Sequence, residues 1–359
     1  MKKSLIITTL SLFALLISGC NTTSSSKKKK SSSSKTSDTT QVTTDPTHTT
    51  SGGSSSSGGS SSSGGTTSSG SSSTSGSSSS SSSSGSTSTS VGPIGFPTYP
   101  NGDAETYYDS ISSSTLGGYS LLVALRMLNL EKRQTVIGYK PTGTDPSGFF
   151  RYTDYDPDTV QYDINGQPYG TKISSFYTYK STTSWNREHV WPNSHGGGSG
   201  GNAGSPYPDQ DIHMPRPTIS SENSNRSNSF YAEGIATPSN GWDPVTAGYN
   251  EYSRGEAARI VFYCTLVNER LMLAPFDKYS ELSGTDPITG AAYEYGRTMG
   301  NLETLLKWNR DYAVTQREKN RNEGAEYLQG NRNAFVDHPE YACKIWGTVN
   351  SNTRNICGM

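Results

Sequence analysis

Trp185-Asn186-Arg187-Glu188-His189-Val190-Trp191-Pro192 sets a carboxylate directly beside an imidazole, with bulky residues on both sides. Adjacent residues on a strand face opposite ways, but at a bend or strand end both converge on one site. A histidine side chain ordinarily titrates near pH 6.5, so it takes a proton from water under physiological conditions. A carboxylate is a hard oxygen ligand suited to Mg²⁺ or Ca²⁺. Downstream, Asp211-Ile212-His213-Met214-Pro215-Arg216-Pro217 adds an acid, a second imidazole and a guanidinium. Then Asn223-Ser224-Asn225-Arg226-Ser227-Asn228 offers the neutral carbonyl oxygen of Asn223, another hard ligand. Ser220 or Ser221 suits the cap of a helix that would carry Asn223.

Phosphodiester hydrolysis needs water activated, phosphoryl charge neutralised and the leaving alkoxide stabilised. One histidine and one divalent cation cover all three needs. One Glu, one Asn and several waters make a Mg²⁺ shell, because Mg²⁺ keeps most of its water and takes few protein ligands.

Outward from this stretch, the chain divides sharply by composition. Residues 1–19 have the form of a signal peptide: Lys2 and Lys3, then an apolar run from Leu5 to Ile17. That run is shorter than a bilayer-spanning helix needs. Leu16-Ile17-Ser18-Gly19-Cys20 resembles a bacterial lipobox, which implies cleavage before Cys20 and acylation of that cysteine. Residues 20–95 are Ser, Gly and Thr with a cluster at Lys27 to Lys30, too polar to fold, and read as a lipid-anchored tether at the cell surface. The lysine cluster is either a solvated charge run or a contact for anionic headgroups.

Residues 96–359 are long enough for a substantial core. Seven of the chain's 30 lysines and arginines and two of its 31 acids lie before residue 96, which leaves 23 against 29 and a net charge near −6. Simple electrostatic attraction to nucleic acid predicts the opposite sign, so a local basic patch or a bound cation must meet the phosphates. Cys343 and Cys357 are placed to close a short loop, Cys264 sits in an apolar run as a buried thiol, and no CxxC pair supports a zinc site.

The spacing of Leu121, Leu122, Leu125, Leu128 and Leu130 predicts a helix over 116–129. Short strands follow over 135–179, with Asn165-Gly166 as a hairpin turn. Helices are predicted from Glu256 to Leu273, stopped by Pro275, and from Met299 to Glu326. Lys307, Arg310, Arg317, Lys319 and Arg321 on the last are either a solvated face or a phosphate-tracking surface. The glycine run after His195 lacks a P-loop ending, so no phosphate cradle is assigned to it. His195 itself is expected at the surface, and His338 in a structural role.

The three motifs, in this order, resemble the bacterial endonuclease I family. So do Leu305-Leu306-Lys307-Trp308-Asn309, Arg321-Asn322 and the run from Gln329 to Glu340. The likeness extends over about 100–346. It implies an α+β fold, with a ββα-metal (His-Me finger) core embedded in a larger mixed α/β domain. It also implies a largely sequence-nonspecific endonuclease acting on DNA and RNA and leaving 5′-phosphate ends. His189 matches the family's general base, and Glu188 and Asn223 match its ligands for Mg²⁺, with Ca²⁺ or Mn²⁺ as substitutes. Asp211 and His213 would support the site from behind. Some members carry a leaving-group arginine between the first two motifs, but Val190 to Gln210 contains no Arg or Lys. Arg216 or Arg226 would then contact substrate. No obligate protein partner is implied.

Two other readings compete. A zinc hydrolase would use His189, His213 and an acid, although HExxH is missing. A non-catalytic surface adhesin would suit the tether and the abundant tyrosines.

Overall fold

A computed structural model describes residues 104–111, 115–137, 148–198, 205–237 and 240–359. The signal segment, Cys20 and the tether lie outside them. Ten helices are described: α1 (Ala104–Tyr107), α2 (Gly118–Lys132), α3 (Phe150–Thr153), α4 (Ser220–Arg226), α5 (Tyr252–Val267), α6 (Leu302–Asp311), α7 (Gln316–Gln329), α8 (Ala334–Asp337), α9 (Glu340–Trp346) and α10 (Ser351–Cys357). The described strands pair in twos. β1 (Val160–Tyr162) pairs with β2 (Pro168–Gly170), β3 (Ile173–Ser174) with β4 (Ser181–Thr182), and β5 (Asn186–His189) with β6 (Pro215–Thr218), all antiparallel. β7 (Met272–Leu273) runs parallel to β8 (Thr298–Met299). Helices mixed with small sheets agree with an α+β fold.

The core is built round α5, which is buried from Gly255 to Val267. A helix apolar on all sides belongs in the centre, and α5 packs against α2, α6 and α8. Gly255 is required there, since a Cβ would stand 2.9 Å from the Cβ of Tyr312. Trp242, Trp308, Phe262 and Trp346 complete this cluster. A second cluster of Phe149, Phe150, Ile173 and Ile212 has Trp185 and Leu328 packed against it.

Local signals explain most boundaries. The β1–β2 hairpin turns at Asn165-Gly166, with Gly166 at φ 77°. Helix α2 forms where the leucine spacing places it, although Leu130 is 52% exposed. Two predicted helices need correction. α5 stops at Asn268, well before Pro275, because Asn268 is extended and its side chain accepts from Arg270 N. The region from Met299 is two helices. Thr315 opens α7 with a capping box to Glu318, which ends the path of α6.

The arginines of α7 are the larger surprise. Arg317 and Arg321 face inward and are buried, so no continuous phosphate-tracking face exists there. Arg321 Nε and Arg216 Nε both donate to Asp154 Oδ1, at 3.3 and 2.7 Å. Arg216 Nη1 meets Glu256 Oε2 at 2.8 Å, and Arg317 Nη1 lies 3.7 Å from Glu256 Oε1. Arg259 forms a two-bond pair with Glu318. Burial works to raise the Asp154 carboxyl, but Arg321 and Arg216 outweigh it and hold it below the usual range. Such a network ties β6, α5 and α7 together. Removing one charge of a buried pair costs about 3–5 kcal/mol, so it fixes position strongly.

Cys343 and Cys357 form a disulfide between α9 and α10, and Cys264 is a buried free thiol. The pair closes a loop of sequence separation 14. Cys343→Ser should lower unfolding free energy by about 3 kcal/mol. Urea denaturation should show the same loss for the wild-type chain under reducing conditions. An unchanged midpoint in both would contradict the bond.

Candidate active site

β5 ends at His189, and β6 leads through Ile219 into α4, so strand, strand and helix follow in order. The register pairs Glu188 with Arg216 and His189 with Pro215. Pro215 and Pro217 bring no N–H to the ladder. Two strands alone are marginal in water, so side chains must hold this pair in place. On one side Arg216 does so through Asp154 and Glu256. On the other, Arg226 of α4 does so.

Arg226 is buried and grips the end of β5. Its Nη1 donates to Glu188 Oε1 at 3.2 Å and to the His189 carbonyl at 2.9 Å, and its Nη2 donates to the Val190 carbonyl at 2.8 Å. The guanidinium lies 4.7 Å from the Tyr231 ring centroid. Glu188 is 1% exposed. Tyr177 OH donates to the same Oε1 at 2.8 Å. Burial raises the Glu188 carboxyl above its ordinary range, with Arg226 and Tyr177 pulling it back. Both hydrogen bonds fall on Oε1, which leaves Oε2 for another ligand.

His189 sits at the strand end with its side chain 17% exposed, and Nε2 stands 3.7 Å from Asp209 Oδ2. Sequence reading missed Asp209. The signal was the glycine run before it. Asp209 N donates to the Gly197 carbonyl at 2.9 Å. A Cβ on Gly198 would lie 2.9 Å from Asp209 Oδ2, and one on Gly197 only 1.9 Å from the Trp191 carbonyl. The glycines give Asp209 room to approach the imidazole.

Asn223 is half-buried on α4, one turn before Arg226, so the two share a helix face. Its side-chain amide makes no hydrogen bond to a described residue. Asn186 Nδ2 donates to Ser220 Oγ at 3.0 Å, so Ser220 ties α4 to β5 and does not cap the helix; Ile219 holds the cap position. Among the described residues, no three His, Cys, Asp or Glu side chains gather round one point. That leaves the zinc alternative without a described site. A hard cation here would take the Glu188 carboxylate, the Asn223 amide oxygen and water, which suits Mg²⁺.

The remaining predicted residues hold the structure together. Arg216 is 1% exposed and engaged by two carboxylates, so it anchors β6 and offers nothing to a phosphate. Arg226 is equally buried, and its donors hold the strand end. Asp211 accepts from Tyr263 OH and from the side chains of Gln329 and Asn331. His213 Nε2 meets the Asn331 carbonyl at 3.0 Å. Together they lock the segment before β6 onto the chain after α7. His195, expected at the surface, is fully buried against Tyr279, with Nε2 2.9 Å from the Asn228 carbonyl. His338 packs on Tyr341 beside Glu340.

The sequence signature of Endonuclease I matches residues 126–340. An extracellular ribonuclease of Bacillus amyloliquefaciens is 34% identical over 257 residues, 69% of this chain and 80% of that protein. One from Bacillus subtilis (strain 168) is 31% identical over 266 residues, 70% of this chain and 81% of its own length. The molecule is therefore a nuclease. It belongs to the endonuclease I family.

Burial lowers His213 to about 4 and His195 to about 3, from the ordinary 6.5. Both are neutral in the fold, while the unfolded chain protonates them below pH 6.5. Between pH 6.5 and about 4 the unfolded state binds more protons, so stability is full above that window and falls with pH inside it. Thermal unfolding from pH 7 to 5 should show this slope. His213→Gln should flatten it, and an equally steep slope in that variant would exclude the histidine as its source.

Proposed function

We propose that this nuclease hydrolyses RNA and DNA to 5′-phosphate ends with little sequence preference. His189 is the general base, and one Mg²⁺ is held by Glu188 and Asn223 in a ββα-metal arrangement of β5, β6 and α4. The observation that carries this reading is the end of β5. There an imidazole meets solvent while its neighbouring carboxylate is buried and pinned on one oxygen only. RNA enters because the two relatives are named ribonucleases. Their names also favour secretion, and the lipobox at Cys20 would keep the chain at the outer membrane face.

The residues divide the work. Asp209 faces Nε2 of His189, and the imidazole would accept the proton of the attacking water. Arg226 holds the backbone carbonyls of His189 and Val190, so the imidazole keeps its direction as it charges. Tyr177 and Arg226 fix the Glu188 carboxylate without occupying Oε2. The cation would neutralise charge on the phosphoryl and leaving oxygens. Contact with substrate is then mainly to phosphate, which positions without reading sequence.

The full chain, stripped with EDTA, should regain cleavage of RNA and plasmid DNA with Mg²⁺ and not with Zn²⁺. His189→Ala should lower kcat by about 10²–10⁴-fold. Glu188→Gln and Asn223→Ala should raise the Mg²⁺ concentration needed. Undiminished turnover by His189→Ala, or equal rescue by Zn²⁺, would refute the assignment.

A further inference from the structure

The folded part carries a net charge near −6, yet its substrate is a polyanion. Of the five basic residues on α6 and α7, Lys319 is exposed and the other four are in ion pairs. Arg317 and Arg321 are buried in ion pairs, and Lys307 and Arg310 pair with Asp311. With a net negative charge, contacts that do not depend on charge gain weight in holding substrate.

A tyrosine cluster of α3, β2 and α7 carries a contact of that kind. Tyr152, Tyr169 and Tyr327 fan out at the protein surface, with Tyr152 between the other two and ring centroids 5.8 Å apart on each side. Tyr327 is 40% exposed, and the other two are half-buried. Their polar ends are satisfied within the protein. Tyr327 OH donates to Asp163 Oδ2 at 3.0 Å, Tyr152 OH to the same atom at 3.4 Å, and Tyr169 OH to Gln161 Oε1 at 2.8 Å. Asn165 Nδ2 donates to Tyr327 OH at 2.9 Å. Asp163, the acid among the rings, also accepts from the backbone N–H groups of Asn165 and Gln167. The hydroxyls are pinned, so the rings are pre-ordered.

The patch is joined to the catalytic strand. Tyr152 lies two residues before Asp154, which holds Arg216, the cross-strand partner of Glu188. Tyr327 precedes Leu328, which packs on the same cluster as Trp185, the residue before β5.

We propose that Tyr152, Tyr169 and Tyr327 form a stacking platform for the unpaired bases of single-stranded RNA. The proposal rests on the nuclease reading of the site and adds a preference for single strands in binding. Duplexes hide their base faces, whereas single strands offer every one of them to an aromatic ring. Pre-ordered rings lose little entropy on binding. Stacking also tolerates any base, in keeping with cleavage that reads no sequence.

The test uses the full chain carrying His189→Ala, in EDTA, with a fluorescent uridine oligomer and a blunt RNA duplex followed by anisotropy. The oligomer should bind at least tenfold more tightly than the duplex. Tyr327→Ala and Tyr169→Ala should each weaken oligomer binding about tenfold, and Tyr327→Phe should bind as the parent does. From 50 to 200 mM salt, affinity should fall by about threefold or less, as for one phosphate contact, against about 10³–10⁵ for six to ten. Unchanged binding in both alanine variants, or preference for the duplex, would overturn the platform. The wild-type chain with Mg²⁺ should cleave a dinucleotide. Absence of dinucleotide cleavage by the wild-type chain would instead count against the proposed chemistry.

Discussion

The Glu188–Arg226 pair is the constraint on which the site depends. A carboxylate at 1% exposure is costly unless charge and hydrogen bonds meet it. Arg226 meets it while also gripping the His189 and Val190 carbonyls. One side chain therefore sets the depth of the acid and the direction of the strand end that bears the imidazole. The strand pair could not do this alone, being two short strands with prolines on one side. Arg216 completes the grip from behind through Asp154 and Glu256. The two guanidiniums act as brackets on either side of β5 and β6.

This arrangement explains an otherwise awkward charge balance. Basic residues in a nuclease invite assignment to phosphate binding. Here several are consumed inside, where they fix the geometry that chemistry needs. In the proposed reading, a cation at Glu188 and Asn223 and contacts that do not depend on charge would meet the substrate. The same economy applies to the histidines. Of the four described histidines, His195 and His213 are buried and neutral and His338 packs against tyrosines, while His189 stands at the end of β5.

Much of the proposed site is legible in the sequence because its chemistry is local. Glu188 and His189 are adjacent, and Asn223 falls in a short polar stretch with helix signals round it. The hairpin at Asn165-Gly166 was legible for the same reason, since turn geometry selects those residues. What escaped reading was long-range. Arg321 and Asp154 are 167 residues apart, and hydropathy cannot distinguish a buried arginine with a distant partner from a solvated one. Asp209 needed the loop path past Gly197 and Gly198 before its approach to His189 had meaning. The break between α6 and α7 was available in principle. Thr315 and Glu318 spell a capping box inside a run whose apolar spacing looks continuous.

Anomalous scattering from crystals of the chain grown with Mn²⁺ would interrogate the shared cation directly. The geometry argued here requires one peak bonded to a Glu188 oxygen and the Asn223 amide oxygen, within reach of the His189 ring. A peak held by histidines instead, or none in that cleft at saturating Mn²⁺, would contradict it.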